Sequence, residues 1–325
     1  MNSNAIFNIQ SNSEFEELCL QIFAFQYQHN IVYQTFCNHL KKNPKNVSLI
    51  KEIPFLPIQF FKSHKVVSSK KDPQEIFTSS GTTGTSTSKH YVTDISVYEK
   101  SYLKGFTHFY GKIQDYAILA LLPSYLERKG SSLVYMTNDL IKQSNNPHSG
   151  FYLHNTHELK EKLTLLNSTK QKTLLIGVSF ALLDFIEKHP FNLKSTLVME
   201  TGGMKGQRKE LIREELHQAL CKGFGVENIQ SEYGMTELLS QAYSTGNGIF
   251  KCPPWMKVLT RDTDDPISIQ AYHKTGGINI IDLANINSCS FIATQDLGKV
   301  HKNGSFEVLG RFDNSDIRGC NLMVV

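Results

Sequence analysis

The chain has 325 residues, enough for a sizeable core in one large or two ordinary domains, and its 40% hydrophobic and 20% charged residues exclude a disordered or membrane-embedded protein. The net charge of +4 is spread along the chain, with Lys41-Lys42 and Lys70-Lys71 the densest basic pairs, so no nucleic-acid footprint is indicated. The longest dense apolar run, Ala117 to Leu122, is far below a membrane-spanning length, and six cysteines stand singly without zinc or redox spacing.

Met1-Asn2-Ser3-Asn4-Ala5 opens without a basic segment and apolar core, so no secretory signal is read and a cytoplasmic location is expected. From Glu14 to about Lys42, Phe15, Leu18, Ile22, Phe25, Val32, Phe36 and Leu40 recur at helical spacing, which predicts one or two helices ended by Asn43-Pro44. The prolines at 54 and 57 then favour an extended, aromatic-rich segment from Ile53 to Lys62. Strand-like runs at Tyr116–Leu122, Thr173–Val178 and Ser195–Met199 alternate with helical patterns at Val178–Lys188 and Gln207–Lys222, which predicts an α/β sheet. After about Gln241, short strand patterns at Gly277–Leu283, Ser290–Thr294 and Ser305–Leu309 are separated by Gly, Asn and Asp. The expected division is an α/β region over 1–240 and a β-rich subdomain over 241–325.

The chemistry-bearing stretch is Phe77-Thr78-Ser79-Ser80-Gly81-Thr82-Thr83-Gly84-Thr85-Ser86-Thr87-Ser88-Lys89-His90. Its glycines permit close backbone approach, and its hydroxyls and free amides can cradle phosphate oxygens, with Lys89 adding a point charge. The spacing is neither Walker A nor G-x-G-x-x-G, and a plain surface loop is the competing reading. A second motif, Ser231-Glu232-Tyr233-Gly234-Met235-Thr236-Glu237, follows a helix and an expected short strand at Val226–Gln230.

Together, Ser80-Gly81-Thr82-Thr83-Gly84 and Tyr233-Gly234-Met235-Thr236-Glu237 resemble two signature motifs of the acyl-adenylate-forming superfamily. Thr201-Gly202-Gly203, Gln295-Asp296-Leu297-Gly298 and Gly310-Arg311-Phe312-Asp313 resemble three more, in the same order. Ile53-Pro54-Phe55-Leu56-Pro57-Ile58, Phe60-Phe61-Lys62 and Glu200 to Gly206 are most similar to the LuxE-type acyl-protein synthetases, with phenylacetate-CoA ligases more distant.

The resemblance covers roughly residues 50–325 and implies an α/β fold: the large N-terminal domain of these enzymes with a C-terminal β-rich subdomain, lacking the small mobile C-terminal domain. It implies ATP and Mg²⁺ as cofactors, a carboxylic acid substrate (fatty or aryl), and transfer of the acyl group to a thiol, with an acyl-accepting reductase, acyltransferase or carrier protein as partner.

By resemblance, Glu237 holds Mg²⁺, Thr236 meets the α-phosphate, and Ser80, Gly81, Thr82, Thr83 and Gly84 surround the leaving phosphates. Gly202, Gly203, Tyr233 and Gly234 form the adenine side, Asp296 takes the ribose hydroxyls, and Arg311 supports the ribose or phosphates. Cys320, beside Arg318, matches the acyl-carrying cysteine of the LuxE-type family. Lys89 or Lys205 could supply the cation that the absent domain's lysine gives elsewhere.

Bland readings stand beside these. Glu237 can be a helix N-terminal carboxylate, Tyr233 a core ring, Asp-Leu-Gly a turn, Arg311 a surface ion pair, Lys89 a solvated side chain and Cys320 an ordinary thiol. Phe106, Phe109, Tyr110 and Tyr125 can line an acyl tunnel or simply pack. The alternative functions are an acyl-CoA ligase and a non-catalytic nucleotide-binding subunit.

Overall fold

The structure, a computed structural model, describes residues 3–79, 87–123, 127–202 and 211–312. The chain opens with α1 (Ser3–Ile6), α2 (Asn12–His29) and α3 (Ile31–His39). Asn30 makes the break between the last two: its N–H caps the end of α2 at the Gln26 carbonyl, and its side chain accepts from Tyr33 N to start α3. The single helical pattern in the sequence is thus two helices that meet at one capping residue.

There follow β1 (Leu56–Pro57), α4 (Phe60–Ser63) and the hairpin of β2 (Glu75–Thr78) and β3 (Lys89–Val92). The extended stretch expected across 53–62 therefore ends early. The proline restrictions act only through residue 57, and beyond it Phe61 N and His64 N turn back to the carbonyls of Ile58 and Phe60.

The middle of the chain alternates: α5 (Ile95–Tyr110), β4 (Ala117–Leu121), α6 (Ser132–Ser144), β5 (Gly150–Phe151), α7 (Thr156–Ser168), β6 (Thr173–Gly177), α8 (Ser179–Lys188), β7 (Thr196–Thr201), α9 (Arg213–Phe224) and β8 (Gln230–Tyr233). Asp94, Ser131 and Asn155 each cap a helix start with a side-chain oxygen, and Gly225 ends α9 in the left-handed region at φ +65°. Every residue of β4 and β6 is buried, as expected for central parallel strands covered on both faces.

The last stretch is antiparallel: β9 (Ala242–Ser244), β10 (Ile249–Lys251), β11 (Met256–Arg261), β12 (Thr275–Asp282), β13 (Phe291–Val300) and β14 (Phe306–Arg311). All but the β2–β3 hairpin join one 12-stranded sheet in the order β11-β12-β13-β14-β10-β9-β8-β7-β6-β4-β5, with β1 parallel to β13. Pairing changes from parallel to antiparallel at β8, whose residues 231–233 face β9 residues 242–244. The sheet runs unbroken across residues 240 and 241.

α2 ties the chain's start to this β-rich half. The buried Gln26 amide donates to the carbonyls of Asn285 and Ile286 and to Ser290 Oγ at 3.0–3.1 Å, and accepts from Ser290 N at 2.9 Å. Cys19, Cys37 and Cys289 lie in the core, and Cys221 and Cys252 are half-buried; desolvation pushes all five thiols up, Cys37 to about 12. Among the described residues no helix is long and apolar enough to cross a membrane.

Candidate active site

The hairpin carries the first motif. Thr78 and Lys89 are its last paired residues before the loop, and the Ser79 amide donates to the Ser88 carbonyl (3.2 Å) while the Ser88 amide donates to Ser79 Oγ (3.0 Å). Ser80, Gly81, Thr82, Thr83 and Gly84 lie outside the described residues, as do Gly203, Lys205, Tyr125 and Cys320. Lys89 is exposed and lines a cleft of about 430 Å³ together with Lys62, His64, Lys65 and Tyr91.

His90, next along β3, joins the hairpin to the second motif. Its ring is fully buried and meets the edge of Phe61, and Nδ1 lies 2.9 Å from the Thr236 carbonyl. A carbonyl can only accept, so Nδ1 carries the proton. Burial pushes the imidazole down to about 4, which keeps it neutral at physiological pH.

Thr236 and Glu237 form a turn after β8, and no helix follows them. The helix N-terminal reading of Glu237 therefore fails: Leu238 N turns back to Met235 O, and the chain runs on into β9. Glu237 is 5% exposed, its carbonyl accepts from Asn285 Nδ2 at 2.8 Å, and its carboxylate is hydrogen-bonded by the Ser88 side chain. Burial raises its pKa, against Ser88, Lys62 and Arg311, which favour the charged form. The stem of the glycine loop and the Thr236-Glu237 turn thus touch, although about 150 residues of sequence lie between them.

Tyr233, Asp296 and Arg311 form a second group. The Tyr233 hydroxyl donates to Asp296 Oδ2 at 2.7 Å, and Arg311 Nε lies 3.4 Å from Asp296 Oδ1. Asp296 and Arg311 are cross-strand partners of β13 and β14. Asp-Leu-Gly is not a turn: β13 continues through it to Val300 with a register shift between Leu297 and Gly298, and Gly298 has no room for a Cβ between the Glu307 carbonyl and Ile278. Burial raises the Asp296 carboxyl, opposed by Tyr233, Arg311 and the buried Arg261. The Tyr233 ring also packs against Phe250 and Phe306, so the core reading accounts for part of its surface.

Gly202, at φ +67°, ends β7 in a turn whose carbonyl accepts from Ser179 Oγ at 2.7 Å. A Cβ at Gly234 would meet Glu232 Oε1, so a side chain there would displace the Glu232 carboxylate. The sequence reading assigned no role to His90, Glu232 or Asp282. The buried Asp282 accepts from Leu239 N (2.8 Å), Ser240 N (3.0 Å) and Ser240 Oγ (2.6 Å), fixing the chain just beyond Glu237.

Among the described residues no cluster of three or more His, Cys, Asp or Glu side chains could hold a metal ion. One carboxylate is a fitting donor for Mg²⁺, which keeps waters and substrate phosphates as its other ligands. Glu237 is such a donor, and its carboxylate oxygens face the hairpin stem through Ser88.

The family model of the acyl-protein synthetase LuxE matches residues 6–102, a span that includes α2, α3, the Pro54–Lys62 segment and the hairpin. The LuxE match stops before the second motif, and there the solved structures extend the comparison. An open conformation of 2-hydroxyisobutyryl-CoA ligase in complex with 2-HIB-AMP and CoA shares the fold at TM-score 0.70 and 11% identity, covering 93% of this chain and 70% of that one. ATP-bound MatB from Rhodopseudomonas palustris aligns at TM-score 0.55 and 17% identity over 75% of this chain, which spans 49% of the MatB chain. The fold is that of the large domain of acyl-adenylate-forming enzymes. A search of curated proteins gave no match.

Proposed function

We propose that this chain activates a carboxylic acid with Mg-ATP and passes the acyl group to a thiol, as an acyl-protein synthetase. The observation that carries the reading is the junction of hairpin and turn: His90 on Thr236 at 2.9 Å and Ser88 on Glu237 bring the glycine-loop stem to the buried carboxylate, with Tyr233–Asp296 beginning three residues upstream. A carboxylate oxygen of the acid attacks the α-phosphorus, the bond to pyrophosphate breaks, and acyl-AMP forms. A thiolate then attacks the acyl carbon and AMP leaves.

In this reading Glu237 holds Mg²⁺, which screens the phosphate charge when bound. Thr236, its carbonyl held by His90, presents its hydroxyl to the α-phosphate. Ser80, Gly81, Thr82, Thr83 and Gly84 receive the leaving phosphates, with Lys89 at the loop's end. Asp296 offers acceptor lone pairs to the ribose diol, and the Tyr233 hydroxyl and Arg311 fix its orientation. Gly202 and Gly203 leave space for the purine, Gly234 belongs to the same nucleotide side, and Cys320 takes the acyl group. Residues 1–240 supply most of the nucleotide- and acyl-binding region, and 241–325 complete it with Asp296 and Arg311.

CoA as the acceptor is the second reading, favoured by the likeness to the 2-hydroxyisobutyryl-CoA ligase structure that holds CoA. The test incubates purified protein with Mg-ATP and a panel of fatty and aryl acids, with and without CoA, and follows pyrophosphate release and intact mass. Glu237→Ala is expected to lower release about a hundredfold or more. Cys320→Ser is expected to lose the covalent acyl mass while still releasing pyrophosphate. Acyl-CoA formation without protein acylation selects the second reading, and ATP binding without acid-dependent release leaves a nucleotide-binding subunit.

A further inference from the structure

Successive side chains of a strand point to opposite faces, so Glu232 points away from the face that carries Tyr233. Its cross-strand partners are Thr201 on β7 and Tyr243 on β9, and the three share one face at the point where the sheet changes from parallel to antiparallel pairing. Thr201 Oγ1 donates to Glu232 Oε2 at 2.6 Å. The other carboxylate oxygen, Oε1, sits over Gly234, whose missing side chain leaves it room. The Tyr243 ring stands edge-on to Tyr110 of α5 at 5.4 Å, and Phe109 flanks it at 5.2 Å. The Tyr110 hydroxyl is sealed from solvent, and among the described residues it has no hydrogen-bond partner.

The Glu232 carboxyl, held on one oxygen by Thr201, and the Tyr110 phenol, raised by burial and by the Glu232 charge, thus lie on the sheet face opposite Tyr233, where a purely hydrocarbon acyl chain would offer neither the phenol nor Glu232 Oε1 a polar partner. From this row we infer that Glu232, with Tyr110, recognises a hydroxyl or amino substituent on the acid, so the substrate class is a hydroxy- or amino-substituted carboxylic acid and not an unsubstituted one. The inference rests on the adenylation reading. Burial lifts the Glu232 carboxyl to about 7, so it can accept from a hydroxyl, or ionise against an ammonium group. A site built to hydrogen-bond a substituent rejects the analogue that lacks it, because its own polar groups are then left unpaired.

The test compares kcat/KM for acid-dependent pyrophosphate release across matched sets: butanoate with 3-hydroxy- and 3-aminobutanoate, and benzoate with its hydroxy and amino forms. In wild type, a substituted acid is expected to exceed its parent by about tenfold or more. Glu232→Gln keeps the side chain's shape, and its melting curve reports folding; it is expected to shrink that ratio about tenfold, and Tyr110→Phe to shrink it less. Parent acids that react as fast as substituted ones, or a ratio unchanged in a folded Glu232→Gln protein, overturn the inference and leave the adenylation reading standing. Absence of release with every acid overturns the adenylation reading, and the inference with it.

Discussion

Between Thr201 and Tyr243, Glu232 carries a carboxyl that burial lifts from an ordinary 4.5 to about 7. A raised folded-state value means that the folded chain binds the proton more tightly than the unfolded chain. The resulting stabilisation is complete below about pH 4.5 and is lost as pH rises through about 7. Glu232→Gln removes that dependence. Urea unfolding is expected to find the variant more stable than wild type at pH 8, by no more than about 3 kcal/mol, with the advantage gone at pH 4. Residue-scale features like this were the least legible in the sequence. The motif letters drew attention to Tyr233 and Glu237, whereas what distinguishes Glu232 is its face of the strand and its neighbour at 243, both set by pairing. Tyr233 and Asp296 came from separate motifs, and the hydrogen bond that joins them depends on where β8 and β13 lie in one sheet.

At the scale of elements, the β2–β3 hairpin stands apart from the large sheet, and His90 is one of the side chains that anchor it to the Thr236-Glu237 turn. Asparagine places an amide N–H near the position of Nδ1, and leucine fills the volume without a donor. His90→Asn is therefore expected to keep most of the acid-dependent pyrophosphate release. His90→Leu is expected to lower kcat about tenfold or more, since on the proposed reading it displaces Thr236 from the α-phosphate. Equal losses in both variants, measured by steady-state kinetics, would show packing and not the hydrogen bond to be the operative contact. The α/β alternation was readable because continuous apolar runs such as Ala117–Leu121 and Thr173–Gly177 are central strands buried on both faces, whereas the helix starts at Asp94, Ser131 and Asn155 show themselves only through their capping bonds. The expectation of one or two helices over Glu14–Lys42 covers the pair observed but does not place the break at Asn30, and the short helix at Phe60–Ser63 is not expected, since each depends on one or two hydrogen bonds inside an otherwise continuous pattern. β13 reads as shorter than it is, because Asp296-Leu297-Gly298 has turn composition but is held extended by strands on both sides.

Across the whole molecule, the unbroken sheet and the Gln26 clasp bind the first helices to the last strands. Gln26→Ala strips four hydrogen bonds from buried partners and leaves Ser290 N and the carbonyls of Asn285 and Ile286 without that amide. The variant is expected to lose about 2–4 kcal/mol of stability, read by denaturant titration, with fluorescence and circular dichroism still reporting one shared transition. A separate early transition of the first forty residues would show that the clasp does not couple the two ends. Helical periodicity marked this helix as amphipathic, but Gln26 reads there as an ordinary polar position. Its partners lie some 260 residues away.

The burial of the thiols has a practical side. Alkylating reagents attack thiolates, and the desolvated sulfurs of Cys19, Cys37, Cys252 and Cys289 hold their protons far above neutral pH, with the half-buried Cys221 raised as well. A chemical tag taken up by the folded protein therefore reads out against a nearly silent background. On the proposed reading an acyl group on Cys320 is expected to block its tagging, and labelling followed by intact mass checks this without first removing the other cysteines.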